Sequence, residues 1–231
     1  MPRPILVLLL GCTSLASLSG QSTLFLIDKA IDYSQSDNST PTFNSDIGHS
    51  FIAQVADMSS TYNASNPAVD PTVDDGSTTW TLVYNNDFDA WYYEDSGYAS
   101  EAALDTVYAD TNYNFNFDSN TATVAVLANL YSYILMASMN IGSWSGGTFI
   151  VDSNQAFTIS TNTFTTNYLN GASRIEIRIN GDSFSDSANN NNSGDSLTLD
   201  LDAFDLTAGD SYEVEIAFTR FDGSDTMLSG T

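Results

Sequence analysis

His49 is the only histidine in this chain and Cys12 the only cysteine. A nucleophilic triad needs a base, an orienting group and a placed nucleophile. A structural zinc site needs several Cys or His ligands. The chain has the residues for neither, and it carries no phosphate loop or dinucleotide fingerprint. His49, in "DIGHSF", reads as a surface or capping residue ahead of a strand. Carboxylates remain, 24 Asp and 5 Glu. Glycoside hydrolysis uses a carboxylate pair, but with this much Asp some pair always falls at a suitable separation. Glu176, Glu213 and Glu215 are more informative. They occupy outward positions of alternating segments, near Arg174 and Arg178. That is the pattern of a cross-strand charge ladder. The expectation is a protein that is not an enzyme.

Two binding chemistries have residues to carry them. "NGDSFSDSANNNNSGDS" offers Asp182, Asp186 and Asp195 with Asn carbonyls between. These are the hard oxygen donors that Ca²⁺ takes, although the spacing is not that of an EF-hand. The same composition also suits a flexible polar loop. The second chemistry is sugar binding. "DAWYYEDSGY" groups Trp91, Tyr92 and Tyr93 beside acidic residues, and "GSWSGG" places Trp144 in a Gly-rich turn. Aromatic faces stack on sugar rings and carboxylates bond their hydroxyls. Alternation puts Trp91 and Tyr93 on one strand face, with Tyr92 on the other. One of those faces is core, and burial is the ordinary use of large aromatics such as Trp80 and Trp91. The carbohydrate candidates are Trp91, Tyr93 and Trp144.

Charge narrows the partners. Five basic residues face 29 acidic ones, for a net of −24. Nucleic-acid binding needs Lys and Arg for the phosphates, so no nucleic-acid partner is expected. Such a charge favours solubility. Polysaccharide, or components of an envelope or matrix, are the expected partners.

The N-terminus bears on location. Residues 1–20 have an export layout: Arg3, an apolar run from Ile5, then small residues. Leu9-Leu10-Gly11-Cys12 also resembles a lipoprotein box, with Cys12 as the lipidated residue. Only Ile5 to Leu10 would precede that box, short for such a run. Cleavage near Ser19 and release is therefore the expectation, with lipid anchoring at Cys12 as the alternative. No later stretch approaches 18 apolar residues, so no transmembrane helix is expected.

The elements that must position these residues have a period of two, which argues half-buried strands. "SRIEIRIN" alternates Ile175, Ile177 and Ile179 with Arg174, Glu176 and Arg178. "DSLTLDLD", "SYEVEIAF" and "NYNFNFD" repeat the pattern. Gly, Asn, Asp and Ser clusters separate the segments, as turns require. In "YASEAALDTVY", Ser100 caps a short helix. Many short strands with one helical turn predict an all-β chain of the sandwich class.

An internal echo suggests two lobes. "VYADTNYNFNF" (107–117) aligns with "LTAGDSYEVEI" (206–216) at an offset of 99 residues, matching Tyr113 to Tyr212. A Tyr that opens an alternating strand and bonds backbone upstream is the tyrosine corner of Ig-like sandwiches. The division expected is a signal peptide at 1–20, then Ig or fibronectin III-like lobes at 21–128 and 129–231. If Tyr212 opens the sixth strand of a seven-strand sandwich, only "FDGSDTMLSGT" follows that strand, without apolar alternation, so the second lobe is expected to lack its last strand.

"SEAALDTVYADTNYNFNF", "WSGGTFIVDSNQAFTIS" and "LTAGDSYEVEIAFTRF" together resemble uncharacterised exported proteins of environmental bacteria, many with a PEP-CTERM sorting tail. The likeness covers roughly residues 98–221 and its motifs are structural. Thr111-Asn112 stands where that class has Gly before the Tyr, and the sorting tail is absent. The resemblance implies an exported β-sandwich protein and supplies no catalytic residues. The functional expectation is a secreted or cell-surface structural or adhesive protein, with a carbohydrate-binding module as the alternative.

Overall fold

A computed structural model describes residues 6–17, 23–57, 70–86, 90–117, 120–126, 136–162, 173–179, 184–190 and 196–221. The protein is mostly β with a single helix among these residues. In chain order the strands are β1 (Leu6–Ser17), β2 (Thr23–Ser34), β3 (Thr42–Phe43), β4 (His49–Asp57), β5 (Thr72–Asp74), β6 (Thr79–Thr81), β7 (Val83–Asn85) and β8 (Ala90–Tyr98). Helix α1 (Glu101–Val107) follows, then β9 (Asn112–Phe117), β10 (Asn120–Ala125), β11 (Ala137–Met139), β12 (Ser143–Ser145) and β13 (Thr148–Ile150). The remainder are β14 (Phe157–Thr161), β15 (Ser173–Ile179), β16 (Phe184–Asn190), β17 (Thr198–Leu201) and β18 (Val214–Phe221). The apolar run read as a leader thus contributes β1, with Cys12 inside it.

The chain divides into two compact units whose segments interleave in sequence. One comprises Gly11–Ala30, Ser45–Leu130 and Arg220–Thr231; the other comprises Met1–Leu10, Ile31–Asn44 and Tyr131–Thr219. We call them the aromatic unit and the cleft unit.

In the aromatic unit the sheet order runs β2-β4-β8-β7, and a second sheet runs β10-β9-β5-β6. The alternation of "NYNFNF" sends Tyr113, Phe115 and Phe117 inward, all buried. Rings from the two sheets meet: Phe25 lies 5.4 Å from Phe115, Phe51 5.3 Å from Tyr113, and Trp91 5.0 Å from Phe117. The sheets therefore face each other across one apolar core. Helix α1 closes it. Ser100 accepts from the Ala103 N–H at 3.2 Å, the expected cap, and Leu104 is buried.

In the cleft unit, β14 lies between β11 and β17, and β15 pairs with β16 and neighbours β18. Phe157, Ile159, Ile177, Ile179, Leu199, Leu201 and Ile216 build its core. β12 and β13 form a hairpin whose two-residue loop is Gly146-Gly147, with φ of 60° and 81°. Two consecutive positive φ values suit glycine and match the twist of the flanking strands.

The charge ladder forms at Arg178, which contacts Glu176 at 2.8 Å on its own strand and Glu215 of β18 at 3.8 Å. These pairs are partly buried. Phe184–Asn190, read as part of a polar loop, is strand β16, in full register with β15. Its order comes from backbone pairing, which carries no hydropathy signal.

Candidate functional site

The aromatic candidates lie in different units. Trp91 sits on β8 of the aromatic unit and is 1% exposed. It packs edge-on to Tyr84 and against Phe117. Trp91 is a core residue, which corrects the expectation of a sugar platform there. The face it shares with Tyr93 is the one that packs inward. Tyr93 is half-buried, and its hydroxyl meets that of Tyr108 at 2.8 Å. Tyr108 and Tyr98 both donate to Asp95 Oδ2, at 2.8 and 2.6 Å. Burial and that bond push the Tyr98 phenol up to about 12, and burial drives Tyr108 upward as well. Tyr98 and Tyr108 therefore stay neutral and share one carboxylate, and the Tyr108 ring stacks on Phe51 (centroids 4.1 Å apart). His49 is buried on β4, its Nδ1 3.2 Å from the Tyr98 carbonyl oxygen, and burial lowers its pKa. It is a packed strand residue, against the expectation of a surface position.

Of the calcium candidates, Asp182 and Asp195 lie outside the described residues. Asp186 stands on β16, opposite Ile177. Among the described residues, no group of three or more His, Cys, Asp or Glu is arranged to hold a metal ion.

Trp144 is different. It sits on β12 of the cleft unit, half-exposed, and lines a cleft of about 690 Å³. That volume lies within the range typical of ligand sites. Phe149, directly opposite on β13, meets the indole edge-on with centroids 5.3 Å apart. The indole N–H donates to Asn38 Oδ1 at 2.9 Å, which orients the ring. Gln35 is buried at the cleft. Its amide bonds both backbone groups of Ala137, accepting from N–H at 2.9 Å and donating to C=O at 3.0 Å. Tyr212 closes another side, its hydroxyl accepting from the Thr207 N–H at 2.8 Å.

The polar rim carries Asp152, Asn154, Asp210 and Glu213. Asp152 accepts from the Asn154 N–H at 3.0 Å, the Asn154 amide at 2.8 Å and the Gln155 amide at 3.0 Å. These bonds hold its carboxyl below the usual carboxylate value.

Sequence reasoning missed Phe204. It is 72% exposed and adopts φ 74°, a left-handed conformation rare for bulky residues. Its N–H donates to the carbonyl of Ser153, a cleft-lining residue, at 2.7 Å. That backbone bond ties the turn carrying Phe204 to the segment that lines the cleft. The signal available was one Phe inside the acidic turn "LDAFDL".

The tyrosine echo is realised in part. Tyr113 is fully buried and donates to the Ala109 carbonyl oxygen at 2.8 Å. Tyr212 also bonds backbone upstream, but as an acceptor, and its ring is only half-buried because it lines the cleft. Comparison with protein-family models, curated proteins and solved structures found no match to the chain.

Proposed function

We propose that this is an exported, non-enzymatic adhesive protein of the cell envelope or extracellular matrix, built from sandwich-like lobes, that holds a neutral polysaccharide in its cleft unit. The observation that carries this reading is the Trp144–Phe149 pair lining the cleft beside a rim of carboxylates and amides. Aromatic faces with hydrogen-bonding neighbours suit a sugar ring, whose faces are apolar and whose edges are hydroxyls.

The charge argues for a neutral chain. Asp152, Asp210 and Glu213 at the cleft, within a molecule of net charge −24, repel polyanions. Binding fits these groups better than hydrolysis. A glycosidase acid needs a raised pKa, whereas Asp152 is held low by its bonds. The lobe reading draws support from two separate apolar cores, one in each unit. The export layout read in residues 1–20 and the resemblance of residues 98–221 to exported β-sandwich proteins support the location.

The test is binding to a panel of polysaccharides by affinity electrophoresis and calorimetry. A neutral glycan should bind saturably, and Trp144→Ala should weaken it. Failure of every neutral glycan, or binding indifferent to Trp144, would overturn the reading.

A further inference from the structure

Lys29 is the most unusual residue of the aromatic unit. Strand alternation places it on the face of Phe25 and Ile27, and all three are 0% exposed. A buried ammonium carries a large desolvation cost unless it is paired. Two carboxylates meet it: Asp110 Oδ1 lies 2.6 Å from Nζ and Asp105 Oδ1 lies 2.7 Å away. Their side chains are 22% and 34% exposed.

The two acids are held independently. Asp105 is fixed on α1, near a C-terminus with no basic residue in its last turn, where the helix dipole disfavours a carboxylate. Asp110 follows Ala109, whose carbonyl is pinned by the buried Tyr113 hydroxyl. One buried amine is thus held against two partly exposed carboxyl groups carried by the helix and by the segment that follows it. Such placement raises effective concentration far above any reached in solution.

We propose that Lys29 and Asp110 condense to an intramolecular amide, a covalent cross-link between β2 and the segment that follows α1. Nζ attacks the Asp110 Cγ carbon. A C–N bond forms, one carboxyl C–O bond breaks, and that oxygen leaves as water with two protons from the ammonium. Ammonium plus carboxylate yields amide plus water, so no oxidant, reductant or co-reactant enters. Asp110 is the electrophile because it is the closer and less exposed of the two acids. Asp105 touches the same nitrogen and carries the proton from Nζ to the departing oxygen.

Glu101, one helical turn before Asp105, sits in the same field. Burial raises its pKa, and Asp105 and Asp110 add to the rise, while Lys29 opposes it. His49 also feels the charge of Asp105.

The cross-link is independent of the cleft and of any glycan. It is tested on the full chain by intact mass under denaturing conditions, with the N-terminus determined, followed by peptide mapping. The expected result is a mass lower by one water, and a branched peptide joining Lys29 to Asp110, with no tryptic cleavage after Lys29. Asp110→Ala should restore the full mass. Asp105→Asn, folded by circular dichroism, should slow the conversion so that uncondensed chain accumulates. Full mass in the wild type, with Lys29 recovered in linear peptides, would overturn the proposal. So would a lost water mapped elsewhere, or a branch at Asp105. The wild-type map decides the matter even where a variant fails to fold.

Discussion

Trp144 donates its indole N–H to Asn38 Oδ1 at 2.9 Å, across 106 positions of sequence. The bond ties a Gly-Gly hairpin to the segment following β2, and it sets the angle at which the indole lines the cleft. Asn38→Ala should therefore leave the ring in place but free to rotate. The bond is exposed, so the expected stability loss is at the low end of about 0.5–1.5 kcal/mol. Glycan affinity should fall about two- to tenfold by the same energy scale. Parallel denaturation and calorimetry check both numbers. An affinity unchanged in Asn38→Ala would show that indole orientation does not matter.

The corner tyrosines make a paired prediction. Tyr113→Phe removes a buried hydroxyl and leaves the Ala109 carbonyl without that donor. The expected cost is about 1–3 kcal/mol, the penalty for a polar group left unsatisfied. Tyr212→Phe removes a bond beside the open cleft, where water replaces it, and should cost about 0.5 kcal/mol. Equilibrium urea denaturation of the two variants checks the order. Equal losses would contradict the difference in burial.

Alternation made much of this fold readable. β9, β15, β17 and β18 all keep apolar residues on one face, and the Ser100 cap announced α1. β16 was hidden because Ser, Asp, Ala and Asn carry no two-residue hydropathy period. β2 was only half readable. In "TLFLIDKAID" both faces begin apolar, so nothing marked Lys29 as inward. Its partners lie 76 and 81 positions away, and separation of that size leaves no trace in a single sequence. The cleft was readable only through Trp144. Gln35 joins it through tertiary bonds to Ala137, whereas the more conspicuous "AWYY" cluster serves packing.

Stability should decline at high pH. The Tyr98 phenol has its ordinary value of 10.0 in the unfolded chain and about 12 when folded. Between those values the unfolded chain binds fewer protons, so stability falls as pH rises through the window. Burial raises the phenols of Tyr92, Tyr108 and Tyr113 in the same direction. The expected outcome is cooperative unfolding above pH 10 that coincides with the phenolate absorbance change. Phenols titrating near 10 in a still-folded chain would contradict this. At the acid end, burial lowers His49, so its contribution is full above 6.5 and is lost as pH falls through its folded value. His49→Gln should flatten that part of the profile.

Export is checked on secreted material. On the export reading the segment that forms β1 is removed, and the mature N-terminus should fall between Ser17 and Gln21, as read by mass spectrometry. An acylated Cys12 at that terminus would replace release by anchoring.

The central claim is glycan capture by the cleft, and the most direct measurement is calorimetric titration of the wild type and Trp144→Ala with neutral and anionic polysaccharides. The expected result is saturable binding of a neutral glycan, an affinity loss of about tenfold or more in a Trp144→Ala variant shown to be folded by circular dichroism, and no binding of the polyanions. Equal binding by wild type and variant, or preference for a polyanion, would contradict it.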